Sequence, residues 1–128
     1  MNKDISLNRI RLELARMSGF PAGSPWHGYE FVAPLTADGR VDHTAWNELK
    51  EMCHVTRFWG DEPDEHGRFV HAASGWCFKY SQGSEIKRES LFKLDRHRFT
   101  PGGYVTVTEP DGEQRAFRIV AMTPALVA

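Results

Sequence analysis

Two alternating segments near the C-terminus constrain the fold more than any other feature of this sequence. Residues 104–108 and 115–120 each alternate apolar and polar side chains, with Pro110 and Gly112 between them. Proline has the φ angle that the second position of a type I turn requires, and glycine supplies the left-handed residue that completes a three-residue hairpin loop. The sequence therefore predicts a β-hairpin with one apolar face. The residues predicted on that face are Val105, Val107, Phe117 and Ile119.

Two segments toward the N-terminus have the periodicity of amphipathic helices. In the first, over residues 4–17, apolar residues recur at steps of three and four. In the second, Asp42 has the character of an N-cap, and an apolar stripe continues over residues 43–53. The sequence therefore predicts two helices on the N-terminal side of the domain. The stripe of the first predicted helix consists of Leu7, Ile10, Leu14 and Met17.

Short segments rich in aromatic and β-branched residues predict antiparallel strands after the first helix. They span residues 27–35, 55–59, 68–72 and 76–80, with an acidic, solvated loop predicted over residues 60–67. Residues 81–98 favour neither a strand nor a helix. The predicted fold is a single α+β domain over residues 1–128. In it, two N-terminal-side helices pack on a strongly curled antiparallel β-sheet or a partly open small barrel, with the hairpin at the C-terminus.

Composition and charge narrow the class of protein. The chain of 128 residues has a net charge of −1 and a hydrophobic content of 41%, values typical of a globular domain. No apolar run is long enough for a membrane-spanning helix, and charged residues interrupt the first segment, which argues against a secretory signal. Because only Cys53 and Cys77 occur, we expect reduced thiols and a soluble, cytoplasmic protein that does not bind membranes.

Aromatic residues beside loops predict a binding surface. Trp26 and Trp59 adjoin predicted loops, where a large aromatic side chain often lines a groove. Together with Tyr29 and His71 they form the candidate site for a protein partner or for self-association. The sequence has no spacing typical of a nucleophile elbow or a phosphate loop. The first functional hypothesis is therefore a non-enzymatic binding or interaction module, with no catalytic residue assigned.

The cysteines and histidines supply an alternative hypothesis, a small enzyme such as a metal-assisted hydrolase. Cys53, His54, His66, His71 and Cys77 offer thiolate and imidazole ligands of the kind that bind zinc. Structural zinc sites pair their cysteines closely, however, whereas these two are far apart, so we predict no cofactor. A third alternative is nucleic-acid binding through the segment 87–99, in which basic residues alternate with Phe92 and Phe99. It is not favoured, because that segment carries its own acids and the chain has no net positive charge.

Three runs of this sequence resemble stretches of small bacterial proteins of unknown function. They are HGYEFVAPL (27–35), RFWGDE (57–62) and PGGYV (101–105), and the resemblance extends over most of the chain. It implies that the domain is complete as it stands. It attaches no activity, cofactor or functional residue to any position.

Overall fold

The computed structural model describes residues 6–91, 93–94 and 97–125, apart from the side chains of Ser6 and Gln82. Over this part of the chain, eight antiparallel strands pair in sequence order, and the last strand pairs with the first. The sheet therefore closes into an up-and-down barrel. The interior of an eight-stranded barrel is just wide enough to be filled by side chains or to hold one small ligand.

The connections between strands alternate between the two ends of the barrel. In chain order the strands are β1 (Ser6–Leu14), β2 (Ser24–Leu35), β3 (His54–Trp59), β4 (Glu62–Ala72), β5 (Gly75–Gln82), β6 (Glu85–Leu91), β7 (Tyr104–Thr108) and β8 (Gln114–Pro124). The helix α1 (His43–Leu49) and a 3₁₀ helix (Lys50–Met52) lie between β2 and β3. We call the end with the β2–β3, β4–β5 and β6–β7 connections the helix end. The opposite end, with the other four connections, is the turn end.

Aromatic rings fill the middle of the barrel. Because side chains alternate along a strand, every second residue points inward. The ring of Phe31 lies 5.1 Å, centroid to centroid, from the rings of both Phe69 and Phe78, and Phe69 stacks on Trp76 at 4.8 Å. All four side chains are buried, and burying each one contributes roughly 1.5–3 kcal/mol to stability.

Helix α1 covers the helix end. The Asp42 carboxylate accepts a hydrogen bond from the Ala45 N–H at 3.0 Å, which caps the helix as the sequence predicts. The buried Trp46 contacts the ring of Trp76 at a centroid distance of 5.2 Å, and its Nε1–H donates to the Phe69 carbonyl at 2.9 Å. In the described chain, neither helical segment has the length and apolar character that crossing a lipid bilayer requires.

The predicted α+β architecture is wrong, because the segment predicted as the first helix forms strand β1. Ile10, Leu12 and Leu14 alternate along this strand and are buried, and β1 closes the barrel by pairing with both β2 and β8. The helical spacing that starts at Leu7 does not account for Leu12. The barrel is closed rather than partly open, and α1, with seven residues, is the one α-helix of the described residues.

Other sequence predictions have mixed outcomes. The C-terminal hairpin is confirmed, with Val105 opposite Phe117 and all four predicted core residues buried. The second predicted helix is also confirmed, as α1 followed by the 3₁₀ helix. The predicted loop at 60–67 is wrong, because β4 already begins at Glu62. The undecided segment 81–98 contains β6. Parts of the predicted first helix and of segment 81–98 lie outside the described residues, namely residues 4, 5, 92, 95 and 96.

The pairing between neighbouring strands is uneven around the barrel. Within the described residues, β6 pairs with β7 at two positions, where Ser90 faces Thr108 and Leu91 faces Val107. Each of the other neighbouring strand pairs has at least five paired positions. The β6–β7 junction is therefore the part of the described wall with the fewest paired residues.

Candidate ligand-binding site

The barrel interior changes from apolar to polar toward the turn end. Arg57 follows the buried Val55 by two residues on β3, and Tyr80 follows the buried Phe78 by two residues on β5, so both side chains point inward. Charged and hydroxyl-bearing side chains meet in this region, and we call them the polar cluster. It consists of Tyr29, Arg57, Glu65, Tyr80, Lys87, Glu89, Glu109 and Arg115.

Arg57 occupies the centre of the polar cluster. Its Nη1 lies 3.5 Å from Glu65 Oε2, its Nε lies 3.6 Å from Glu89 Oε2, and its Nη2 donates to Glu109 Oε1 at 3.0 Å. The guanidinium carbon lies 4.3 Å from the centroid of the Trp59 ring, a cation–π geometry. Only 12% of the Arg57 side chain is exposed. One guanidinium thus joins carboxylates from β4, β6 and the β7–β8 connection.

Two further cations pair with the same carboxylates. Lys87 Nζ donates to Glu65 Oε1 at 2.7 Å, and Arg115 forms an ion pair with Glu109. Within the described residues, Glu65 and Glu109 therefore each have two cationic partners, whereas Glu89 has one. The charge of Glu89 is the least compensated of the three.

Glu89 is also the one charged residue of the described chain that is buried, with 2% of its surface exposed. Its Oε2 accepts a hydrogen bond from Tyr29 Oη at 2.9 Å. Burial raises the pKa of Glu89, while the hydrogen bond from the Tyr29 hydroxyl and the charge of Arg57 oppose that rise. Burial, together with the nearby Glu89 carboxylate, also raises the pKa of both Tyr29 and Tyr80, so their hydroxyls stay protonated at neutral pH.

Four buried polar atoms of the cluster, the oxygens Glu89 Oε1 and Tyr80 Oη and the nitrogens Arg57 Nε and Arg115 Nε, have no hydrogen-bond partner among the described residues. Tyr80 is only 3% exposed, so bulk water does not reach its hydroxyl freely. An unsatisfied buried polar group costs about 1–3 kcal/mol, and more when it is charged. Folded proteins retain few such groups, and each one calls for an explanation.

The two oxygens belong to side chains that line one cavity of about 220 Å³. This volume suits several water molecules or one small organic molecule. Larger depressions of about 340 and 580 Å³ lie on the outer surface, but none of their lining side chains has a buried atom without a partner. The smaller cavity is therefore the candidate site. Its lining residues are Arg57, Glu65, Tyr80, Lys87, Glu89, Glu109 and Pro110.

Three aromatic rings stand beside the polar cluster at the turn end. The His27 ring lies between Phe20 and Trp59, at centroid distances of 4.8 and 4.7 Å. Ser24 Oγ lies 2.7 Å from His27 Nδ1, a hydrogen bond that orients the imidazole. These contacts hold Trp59 in place, and Trp59 in turn supports the guanidinium of Arg57.

The structure separates the residues predicted from sequence to bind a partner. Tyr29 and Trp59 lie at the polar cluster, where they contact Glu89 and Arg57 respectively. Trp26 is 73% exposed on the outside of the barrel. His71 lies at the helix end, where its ring is 4.4 Å from that of His43. The structure therefore brings two of the four residues together, and the interaction surface that includes Trp26 and His71 stays a prediction.

The residues predicted as alternative metal ligands are also dispersed. His54 and His66 line the same outer-surface depression, and His66 Nδ1 lies 3.2 Å from Thr56 Oγ1. Cys53 and Cys77 are buried, free thiols, and burial raises the pKa of Cys53 to about 11. The described residues contain no group of three or more histidine, cysteine, aspartate and glutamate side chains that could hold a metal ion. The geometry thus gives the metal hypothesis no support.

Sequence reasoning missed the central residues of the site, Arg57, Tyr80 and Glu89. A signal was present, because Arg57 stands between Val55 and Trp59 on the same face of β3, and an arginine on an apolar face indicates either a site or a strand end. Glu89 lay within the segment to which no strand was assigned. Its inward face could not be deduced without the register that β6 adopts against β5.

The fold and this site define the class of protein as a closed, eight-stranded, up-and-down β-barrel with a polar cavity at one end. Comparison of the chain with protein-family models, curated proteins and solved structures finds no significant match. The function proposed below therefore rests on the geometry of the polar cluster.

Proposed function

We propose that this chain is a binding protein that holds one small polar molecule, without a covalent bond, in the cavity at the turn end. The observation that carries the proposal is that two buried oxygens, Glu89 Oε1 and Tyr80 Oη, have no partner among the described residues and belong to side chains that line the same cavity. A bound molecule that forms hydrogen bonds with both atoms satisfies two groups whose burial is otherwise costly.

The neighbouring contacts support binding because they fix the two atoms in place. Tyr29 donates to Glu89 Oε2, and Arg57 lies beside the same oxygen, which leaves Oε1 for the cavity. Tyr80 faces Lys87 across the β5–β6 pair, and Phe78 faces Glu89. Groups mounted on paired strands hold their positions better than groups on loops, so little conformational entropy is lost when a ligand binds.

An NMR screen of small polar molecules tests the proposal. Isotope-labelled protein is titrated with the compounds, and the Trp59 indole and the amides of β5 and β6 report on binding at the cavity. Tyr80→Phe removes the buried hydroxyl without changing the ring. Tyr104→Phe is the matched control, because Tyr104 is exposed and lies outside the polar cluster.

We expect at least one compound to shift the reporter resonances in the wild type. Its affinity should fall about two- to tenfold in Tyr80→Phe, the effect of one lost hydrogen bond, and stay unchanged in Tyr104→Phe. The proposal fails if no compound shifts these resonances. It also fails if every compound that does so binds equally well to Tyr80→Phe and Glu89→Gln.

A further inference from the structure

We infer that the molecule bound at the turn end is a small organic cation whose protonated amine lies between Glu89 Oε1 and Tyr80 Oη. This inference deepens the proposed function and rests on it. Three features carry it: the charge balance of the cavity lining, the uncompensated oxygen of Glu89, and the charge of the turns around the cavity.

The cavity lining has one more negative than positive side chain. Three glutamates face two cations, Arg57 and Lys87. Lys87 is paired with Glu65, and the shortest Arg57 contact is with Glu109. Glu89 shares Arg57 with those two carboxylates through Oε2, and its Oε1 has no partner among the residues that the structure describes. Arg115, which lies outside the lining, also pairs with Glu109, so Glu89 is the carboxylate left with the least compensation. A positive charge at Oε1 compensates this carboxylate where water does not reach it.

The turns next to the cavity are acidic. The segments 58–64, 80–86 and 108–114, which contain the β3–β4, β5–β6 and β7–β8 connections, have seven aspartates and glutamates and no lysine or arginine. A rim of one sign raises the local concentration of ligands of the opposite sign and speeds their association. The acidic residues are Asp61, Glu62, Asp64, Glu85, Glu109, Asp111 and Glu113.

The same geometry favours an ammonium group over a metal ion. Calcium takes six to eight oxygen ligands, but the Arg57 guanidinium already lies within 3.0–3.6 Å of the three carboxylates. The described residues also offer no three-membered metal-binding group. An ammonium needs only three acceptors, and Glu89 Oε1 and the Tyr80 hydroxyl provide two of them in a cavity of about 220 Å³.

The test compares three compounds that share one carbon skeleton and differ in charge. They are propanolamine, propanediol and hydroxypropanoate, each with its functional groups at the two ends of the chain. Each is titrated into the wild-type protein at neutral pH, with the Trp59 indole and the amides of β5 and β6 as reporters. We expect propanolamine to shift these resonances in a saturable way, and the neutral and anionic compounds to leave them in place.

Substitutions of single glutamates show which negative charge binds the amine. Glu89→Gln should weaken propanolamine binding by roughly thirtyfold or more, as expected when one partner of a buried charge pair is removed. Glu85→Gln, at the acidic rim, should weaken binding at low salt and have no effect at high salt. Glu48→Gln is the control, because this exposed carboxylate lies on α1 at the opposite end. Thermal unfolding shows whether each variant is folded.

The outcomes separate this inference from the proposed function. If propanediol or hydroxypropanoate shifts the reporters as strongly as propanolamine, the ligand is not selected by positive charge, and the inference is overturned while the proposed function stands. If propanolamine binds equally well to folded Glu89→Gln, or does not bind to the wild type, the inference is likewise overturned. The wider screen then decides whether the cavity binds any polar molecule.

Discussion

Replacing Arg57 by methionine tests whether charge holds the polar cluster together. Methionine keeps most of the length of the side chain but removes the charge that three carboxylates share. At an effective dielectric constant of about 20, each of these contacts corresponds to about 5 kcal/mol of attraction, most of which desolvation of the ions offsets. Removing only the cation leaves the desolvation cost of the three carboxylates without the attraction that offset it. We therefore expect Arg57→Met to lower the free energy of unfolding by about 3–5 kcal/mol at neutral pH.

Urea unfolding followed by tryptophan fluorescence measures this loss, first at neutral pH and then below the ordinary pKa of glutamate, about 4.3. Protonated carboxyl groups do not repel one another, so we expect the loss to shrink by more than half at the lower pH. Arg118→Met is the matched control, because Arg118 is exposed on β8, and it should change stability by no more than about 0.5 kcal/mol. A loss below about 1 kcal/mol for Arg57→Met, or an equal loss at both pH values, refutes the electrostatic explanation.

Three further substitutions test the buried carboxylate, one aromatic ring of the core and one buried hydrogen bond. Burial raises the pKa of Glu89 above its ordinary value of 4.5. The protonated side chain therefore stabilises the fold fully below pH 4.5, and this stabilisation is lost as pH rises through the folded-state pKa. Glu89→Gln removes this pH dependence. Its free energy of unfolding relative to wild type, measured with urea, should therefore increase with pH, by about 1.4 kcal/mol for each unit by which the pKa of Glu89 is higher in the folded than in the unfolded state. A free-energy difference that stays constant with pH contradicts a raised pKa at Glu89. Phe78→Ala should cost about 3–5 kcal/mol in the same assay, and a cost near that of an exposed substitution means that the ring is not in the core. Trp46→Phe should cost about 1–3 kcal/mol because the Phe69 carbonyl loses its donor, and an unchanged unfolding midpoint shows that the hydrogen bond contributes nothing.

The parts of the fold that sequence predicts correctly are those where local chemistry and tertiary structure agree. Pro110 and Gly112 favour the turn that the β7–β8 pair requires, and Asp42 caps α1 through its own side chain. The error at β1 arose because Leu7, Ile10 and Leu14 fit a helical stripe while Ile10, Leu12 and Leu14 fit an alternating strand. Periodicity alone does not decide between these patterns. The strand is selected by its pairing with β2 and β8, which are distant in sequence.

The candidate site was predicted only at its margin. Tyr29 and Trp59 stand out in sequence as large aromatic residues near loops, and both contact the polar cluster. Arg57 is marked only by its place between Val55 and Trp59, and Glu89 does not stand out, because most charged residues lie on the surface. Their burial follows from the closure of the barrel, which places inward-facing positions of β3 and β6 in contact across the interior. Closure depends on all eight strands together, so no local pattern reveals it.

The sparse pairing between β6 and β7 has a consequence for how the chain meets other copies of itself. Within the described residues, the two paired positions of β6 and β7 cost less to separate than the longer ladders elsewhere, so we expect local opening to begin at this junction. Opening converts the cylinder into a sheet with two bare edges, and a bare edge is a template for intermolecular strand pairing and aggregation. Four of the seven residues of β6 are charged, namely Glu85, Lys87, Arg88 and Glu89. Charges along an edge discourage such pairing, so these four side chains, of which Lys87 and Glu89 belong to the polar cluster, also protect the barrel at its most sparsely paired described junction.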